Sequence, residues 1–258
     1  MTVPLPARLL RGFANDFLTG HDNHVVERIM DPAYCLSISG HRLAGRDDVY
    51  LPATAAQLDL FPGLVVTAHD TVFSSDAMAL RFTEHGVSAR DGRAAAWGGI
   101  TLFRIGNGRI VHGWAEEDYL ARKRQQKSGQ VDPVAPPHPA PWDEPVRDAD
   151  EATEQAVHSW LEALDFGCVE DVAAEGPRIV DLIVPRAVTL STLFSAGPRA
   201  AFHAVVTGDY RGGLDDGAAS GAPIALSIAA IADVAHGRVE RIQICADRLG
   251  LQRLLGTR

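Results

Sequence analysis

The spacing of apolar residues changes along the chain from a helical period to a strand period. Near the amino terminus, Leu9, Leu10, Phe13 and Phe17 recur at intervals that predict an amphipathic helix, and Gly20 is placed to end it. Beta-branched runs come later, as expected for strands. The elements predicted after the first helix are a helix capped by Asp22 and ended by Asp31-Pro32, a strand near Tyr34–Ile38, a helix over Asp47–Leu60, and strands at Leu64–Thr71, Ala77–Thr83, Ala94–Ile105 and Arg109–Glu117.

A similar order returns in the second half of the chain, in a shorter form. No clear counterpart of the Asp47–Leu60 helix is present there. The predicted elements are a helix containing Ala156, Trp160, Leu161 and Leu164, a shorter helix near Val169–Ala174, strands at Ile179–Val184, Val188–Leu193, Phe202–Val206 and Ile224–Ile231, and a loop over Gly212–Gly217.

One sequence motif, called here the phrase, occurs once in each half of the chain. It runs from Gly108 to Asp118 and again from Gly237 to Asp247, with the same spacing. Each copy predicts a strand, a turn at the glycine, a second strand and a short helix. A supersecondary unit that repeats at the scale of a domain indicates a tandem duplication.

A proline-rich segment separates the copies, and prolines favour an extended connector. We predict a first domain over residues 1–128, a linker over 129–150 with His138 exposed to solvent, and a trimmed second domain over 151–258. Helices followed by a curved sheet predict an α+β fold. The chain is therefore expected to form two tandem cone-shaped domains, each a curved antiparallel sheet wrapped on amino-terminal helices.

Composition and charge narrow the function. A formal net charge of −9 argues against nucleic acid and anionic membranes as partners. Cys35, Cys168 and Cys245 are scattered, as expected for reduced thiols in a cytoplasmic protein. No apolar run reaches membrane-spanning length, and the amino terminus lacks a secretory signal pattern. We find no phosphate loop, nucleophile elbow or zinc spacing.

Thr83-Glu84-His85-Gly86 and the Gly108-to-Asp118 phrase resemble the SnoaL-like polyketide cyclases, of the nuclear transport factor 2-like and ketosteroid-isomerase-like superfamily. The resemblance covers most of residues 5–126 and, more faintly, 151–256. It implies a cavity for a small apolar metabolite bearing a ketone or lactone. It also implies acid–base closure of a carbon chain by an intramolecular aldol step, without a cofactor or metal. Members of this superfamily often pair sheet to sheet, which implies an intramolecular pairing of the domains, a homodimer, or both.

The resemblance transfers residue by residue with one gap. His85 matches the family histidine, Trp114 the tryptophan and Asp118 the second aspartate of the terminal phrase. The first aspartate, the acid–base residue of the cyclases, falls on Ala115. The equivalent position of the second domain is Ile244, so neither copy keeps the expected base.

Strand alternation suggests a replacement. If Ala115 faces the cavity, Glu117 does too, while Glu116 faces away. Glu117 is therefore either a displaced general base or a rim carboxylate in water. His85 is either its proton partner or a histidine packed at a strand end. The residues expected to bind the ligand are Trp97, Thr101, Phe103, Gly113 and Ala115.

Alternation in the second copy places Ile242, Ile244 and Ala246 on the inner face, opposite Arg241, Gln243 and Cys245. Asp118 and Asp247 each precede a predicted helix, where capping is the favoured role. Three interpretations stay open: an acid–base enzyme, a binding protein that has lost the base, and a second domain that only supports the first. A second cavity that is filled with side chains would indicate support.

Overall fold

The computed structural model of the chain describes residues 3–167, 169–173, 175–214 and 221–256. Two sheets account for its strands. The first is six-stranded, in the order β2-β1-β6-β5-β4-β3, and the second is five-stranded, in the order β7-β11-β10-β9-β8. The strands are β1 Met30–Ile38, β2 His41–Ala44, β3 Val65–Phe73, β4 Ala77–Val87, β5 Ala94–Gly106, β6 Arg109–Glu117, β7 Val169–Asp171, β8 Ile183–Ala196, β9 Arg199–Tyr210, β10 Pro223–Ala235 and β11 Arg238–Ala246.

Helices precede and follow each sheet. The helix predicted from the first apolar spacing begins as α1 and continues in wider, π-helical turns over Gly12–Thr19, ending at Gly20. Another π-helical segment, Arg46–Tyr50, leads into α3. The helices are α1 Leu5–Arg11, α2 Asn23–Ile29, α3 Leu51–Leu60, α4 Tyr119–Ser128, α5 Glu151–Ala163, α6 Ile179–Leu182 and α7 Arg248–Gly256. None of the helices in the described ranges is long and apolar enough to cross a membrane.

Apart from the extra edge strand β2 in the first, the two sheets share one topology. In each, a strand that follows the helices pairs in parallel with the last strand, β1 with β6 and β7 with β11, and the other neighbours are antiparallel. Both final hairpins turn through two residues of positive φ, Asn107-Gly108 and His236-Gly237. This is the turn geometry that suits strand twist. The prediction of an α+β fold with two sheet-on-helix domains is confirmed, and the shared strand order agrees with a duplication.

Several local predictions were wrong. Asp31-Pro32 does not separate a helix from a later strand, because β1 already begins at Met30. The short strand β2 was missed. Residues 169–171 form strand β7 rather than a helix, because they pair with β11, and Ala174 lies outside the described residues. Residues 179–182 form α6, with the strand starting only at Ile183. Of the predicted loop, residues 212–214 have no regular structure, and 215–217 lie outside the described part of the chain, as does Cys168.

The proline-rich segment lies along the edge strand of the first sheet. The His138 amide donates to the Ala68 carbonyl at 2.9 Å, and the Arg147 amide donates to the Phe73 carbonyl at 3.0 Å. His138 is therefore partly buried, with 23% of its side chain exposed, against the prediction of a solvent-exposed residue. Edge strands present unpaired backbone groups, and the segment satisfies some of those on β3.

The sheets also meet each other through their outer faces. One apolar cluster contains Ala79, Ile100 and Leu102 from the first sheet together with Ala229 and Cys245 from the second. Each domain keeps its own larger core on the inner face of its sheet. The strands at this contact, such as β5 and β10, therefore bury both faces, one against the helices and one against the other domain.

Candidate active site

The inner face of the first sheet and its helices enclose a cavity of about 170 Å³. That is smaller than the pockets that hold drug-sized ligands, which begin at about 300 Å³. Its walls are mostly aliphatic and aromatic, with a few polar groups among them. The lining residues are Phe13, Leu18, Tyr34, Leu36, Ile38, Leu43, Tyr50, Ala53, Thr54, Gln57, Phe82, Glu84, Thr101, Phe103, Ala115, Glu117 and Tyr119.

Strand β6 places Glu117 in this cavity. Ala115 lies opposite Thr101 and Glu117 opposite Gly99 in the β5–β6 register, and both Ala115 and Glu117 line the cavity. Glycine at position 99 leaves the necessary space. A Cβ there would lie 2.5 Å from Phe82 Cζ and 3.0 Å from Glu117 Cγ.

Polar groups surround the Glu117 carboxyl within an otherwise apolar site. Trp97 Nε1 donates a hydrogen bond to Glu117 Oε2 at 3.0 Å. Burial raises the pKa of Glu117, whereas the hydrogen bonds from Trp97 and Tyr119 and the charge of Arg122 act to lower it. The Arg122 guanidinium lies over the rings of Tyr119 and Trp97, 4.5 and 5.0 Å from their centroids. These groups stabilise the anion of Glu117 in a place where water does not.

A second carboxyl shares the site. Glu84 is 2% exposed and lies on β4 directly opposite Trp97. Gln57 Nε2 donates to Glu84 Oε2 at 2.6 Å. Burial, and next the charge of Glu117, raise the pKa of Glu84 well above its usual range. Like charges at close range do not ionise together readily, so the two glutamates form a coupled pair.

The sequence interpretation missed Glu84 and chose its neighbour His85. The histidine lies on the other face of β4, where its Nε2 is 2.9 Å from Thr67 Oγ1 and it lines a groove beside the linker. No hydrogen bond joins His85 to Glu117. Alternation from Phe82 was the available signal, since Phe82 and Glu84 share one face and His85 must take the other.

The five predicted ligand-binding residues occupy different places. Thr101, Phe103 and Ala115 line the cavity. Trp97 is 1% exposed, lies behind Glu117, and contacts Phe61 with the ring centroids 5.0 Å apart. Gly113 shapes the cavity indirectly, because a Cβ there would collide with the Tyr34 hydroxyl.

Tyr34 is a further cavity residue that the sequence did not reveal. It is completely buried, and its hydroxyl has no hydrogen-bond partner among the described residues. Its ring meets that of Tyr50 edge to face, with the centroids 4.9 Å apart. Burial raises the pKa of Tyr34 well above its usual value, so the hydroxyl remains protonated. A buried phenol that lacks a partner offers a hydrogen bond to a ligand.

Asp118 and Asp247 are helix caps, as predicted. Asp118 Oδ1 accepts from the Ala121 amide at 3.2 Å, and Asp247 Oδ1 accepts from the Gly250 amide at 2.8 Å. Asp118 also forms a buried ion pair with Arg248 of the second domain. These bonds use both aspartates structurally and keep Asp118 outside the cavity.

The inner face of the second sheet is filled. Ile242 and Ile244 are 0% exposed and belong to one apolar cluster with Val157 of α5, as the predicted alternation requires. On the other face, Cys245 joins the contact between the sheets.

Comparisons with known proteins give matches to about half of the chain. The family model of SnoaL-like polyketide cyclases matches residues 8–126. A SnoaL-like polyketide cyclase candidate from Jannaschia sp. CCS1 is 16% identical, with a TM-score of 0.44, covering 48% of this chain and 92% of that one. IdmH, a polyketide cyclase candidate from Streptomyces antibioticus, is 19% identical with a TM-score of 0.42. The match covers 47% of this chain and 98% of IdmH. An LEH-like epoxide hydrolase from M. tuberculosis is 16% identical with a TM-score of 0.40. The match covers 48% of this chain and 91% of the hydrolase.

No curated protein matches the sequence. The match to SnoaL-like polyketide cyclases therefore covers the first domain, residues 8–126, and not the second.

Proposed function

We propose that the first domain encloses a small, mostly apolar metabolite bearing a ketone or lactone and performs cofactor-free acid–base chemistry of the aldol or isomerase type. The observation that carries this proposal is the coupled pair of buried carboxyls, Glu84 and Glu117, in an apolar cavity. Perturbed carboxyls in a cleft are typical of sites that transfer protons near neutral pH.

The surroundings of the two carboxyls support a different role for each. Trp97, Tyr119 and Arg122 stabilise the Glu117 anion, whereas Glu84 is more strongly raised in pKa by burial and by the charge of Glu117. Glu117 is therefore the base and Glu84 holds the proton. Glu117 removes a proton from the carbon next to the ligand carbonyl, and the electron pair moves onto the carbonyl oxygen. The Tyr34 hydroxyl and protonated Glu84 donate hydrogen bonds to that oxygen.

This arrangement accounts for the missing family base. By resemblance, the aspartate of the cyclases corresponds to Ala115, which lines the cavity on the same face of β6 as Glu117. Two residues along a strand advance about 6.6 Å. The carboxyl is thus carried one inward-facing step along the strand while remaining in the same cavity.

The test measures exchange of α-protons for deuterium in small aryl and cyclic ketones by NMR in D₂O, which needs no knowledge of the natural substrate. We expect E117Q to slow exchange by about 10²- to 10⁴-fold, the usual contribution of a general base. E117Q keeps the size of the side chain and an oxygen that can accept from Trp97, so folding should be preserved. An E117Q protein that exchanges ketone protons as fast as the wild type would exclude Glu117 as the base.

Two further variants separate the partners. E84Q removes the acidic proton of Glu84 and should slow exchange. H85N should leave exchange near the wild-type rate, because His85 lies on the other face of β4. If H85N abolished exchange and E84Q did not, the histidine predicted from the family pattern would be the partner instead.

The second candidate function is non-catalytic binding of the same class of ligand, and the alanine at position 115 favours it. In that case ketones or lactones should quench the fluorescence of Trp97, which lies behind Glu117, without any exchange. We further propose that the second domain serves as a built-in partner for the first. An oligomer measured by light scattering would show whether a homodimer adds to that pairing.

A further inference from the structure

A separate pocket of about 240 Å³ lies where the first sheet, the linker and the second domain meet. It is on the opposite face of β4 from the active-site cavity, because Arg81 and Thr83 alternate with Phe82 and Glu84. The linker contributes Asp132 to its wall, and the second domain contributes Gln243. The pocket exists only when all three parts of the chain are assembled.

Arg81 lines this pocket with a hydrogen-bond donor that is unsatisfied among the described residues. Its Nε is buried and has no hydrogen-bond partner within the described part of the chain, and no ion pair there involves its guanidinium. Asp70 lies directly across from Arg81 in the β3–β4 register. Yet the Asp70 carboxylate is occupied by Arg199, at 2.9 and 2.6 Å. A partly buried cation without a partner is costly to keep.

The carboxylates around the pocket have partners of their own. Asp118 is paired with Arg248 and Asp132 with Arg124. The remaining two are likewise engaged: Glu170 accepts from Arg241 Nη2 at 2.9 Å, and Asp171 accepts from the Ile179 amide at 3.1 Å. Three of these carboxylates are therefore ion-paired with other arginines and the fourth is bonded to a backbone amide, so among the described residues none of the four forms an ion pair with Arg81.

We propose that this pocket binds a small monocarboxylate through the guanidinium of Arg81. The guanidinium of arginine is a planar group of several N–H donors that can bind a carboxylate in a bidentate manner. The Thr83 hydroxyl and the Gln243 amide line the same pocket and supply further polar contacts. A single negative charge suits the site better than the two charges of phosphate, because four carboxylates surround it.

The experiment uses the full chain with sodium acetate, sodium benzoate or sodium phosphate at constant ionic strength, adjusted with sodium chloride. Thermal midpoints and calorimetric titrations are measured for the wild type and R81Q. A matched control is R90Q, which changes an exposed arginine outside the pocket. R81K keeps the charge and removes the planar guanidinium.

We expect acetate or benzoate to raise the midpoint of the wild type and of R90Q above the sodium chloride baseline. Affinity should fall at least about tenfold in R81Q and to a lesser extent in R81K. R81Q without ligand should melt at or above the wild-type midpoint, because an uncompensated cation has been removed, so loss of binding cannot be attributed to unfolding. Equal stabilisation of R81Q, no effect of either carboxylate, or stronger binding of phosphate would each overturn the proposal.

Discussion

At the scale of single residues, glycines make the space that the active site uses. Gly99 leaves room for Phe82 and Glu117, and Gly113 leaves room for Tyr34. Both lie in strands, where glycine is otherwise unfavourable, and both face the cavity side. The polar groups of the site therefore depend on residues that have no side chain.

Replacing Gly113 by alanine tests this dependence. The new Cβ would collide with the Tyr34 hydroxyl and lie 3.0 Å from Phe103 Cε1, so the ring of Tyr34 must move. We expect G113A to lower the free energy of unfolding by about 1–3 kcal/mol, as overpacking does. Urea unfolding measures it, with G63A as the control, because a Cβ at Gly63 meets nothing within 4 Å. Equal stabilities of the two variants would contradict the account.

At the scale of elements, four consecutive residues at the end of β6 contact three parts of the molecule. Ala115 and Glu117 face the cavity, Glu116 faces the second domain, and Asp118 begins α4. The change from strand to helix at Asp118 sets Tyr119 and Arg122 over the active-site carboxyls. The position of α4 should therefore control both stability and the state of the site.

Replacing Asp118 by asparagine isolates the ion pair from the cap. Asparagine caps helices about as well as aspartate, but it leaves the buried Arg248 without an opposite charge. We expect D118N to cost about 3–5 kcal/mol of unfolding free energy, as breaking a buried pair does. The matched variant D22N, at the exposed cap of α2, should be nearly neutral in the same denaturation experiment. A loss in D118N as small as that in D22N would show that Arg248 does not need Asp118.

At the scale of the whole molecule, the two domains are joined by a buried polar contact as well as an apolar one. Glu116 is 0% exposed and accepts from the Ser39 hydroxyl at 3.3 Å. His203 Nε2 of the second domain lies 2.9 Å from Glu116 Oε1. Burial, and next the charge of Asp247, raise the pKa of Glu116 well above 4.5, while burial lowers the pKa of His203 to about 4.

These two shifts act on stability in opposite directions as the pH rises. The pKa of Glu116 is about 4.5 in the unfolded chain and higher in the folded state, so the folded state binds this proton more tightly. The resulting stabilisation of the fold is complete below pH 4.5 and is lost as the pH rises through the folded-state pKa. Between about pH 4 and pH 6.5, His203 is neutral in the folded state but protonated in the unfolded chain. Its contribution to stability is therefore complete above pH 6.5 and is lost as the pH falls through the folded-state pKa of about 4.

The variant E116Q removes only the first contribution. We expect E116Q to gain stability relative to the wild type between pH 5 and pH 8, by at least about 1 kcal/mol, since one unit of pKa corresponds to about 1.4 kcal/mol. Chemical denaturation across this range measures the difference, and E240Q, at an exposed glutamate of β11, provides the background. A difference that stays constant with pH would show that Glu116 is not held protonated at the contact between the domains.

Local pattern predicted much of the fold and only part of the site. Strand β6 was predicted with its exact limits, and the caps at Asp22 and Asp118 were confirmed, because these features depend on neighbouring residues. Strand β7 was predicted as a helix because its strand conformation depends on hydrogen bonds to β11, which is distant in the chain. Local propensity cannot register a partner of that kind.

The sequence by itself determined the α+β class, the repeated order of elements and the alternation that turns Ala115 and Glu117 to one side of β6, since each follows from local periodicity. Only the tertiary structure decided which carboxyl faces Glu117. Alternation puts the adjacent residues Glu84 and His85 on opposite faces of β4, and the packing of the sheet on its helices sets which face points inward. The lack of an ion pair at Arg81 among the described residues is likewise invisible in the sequence, because Asp70 lies across from it and yet bonds to Arg199 of the other domain.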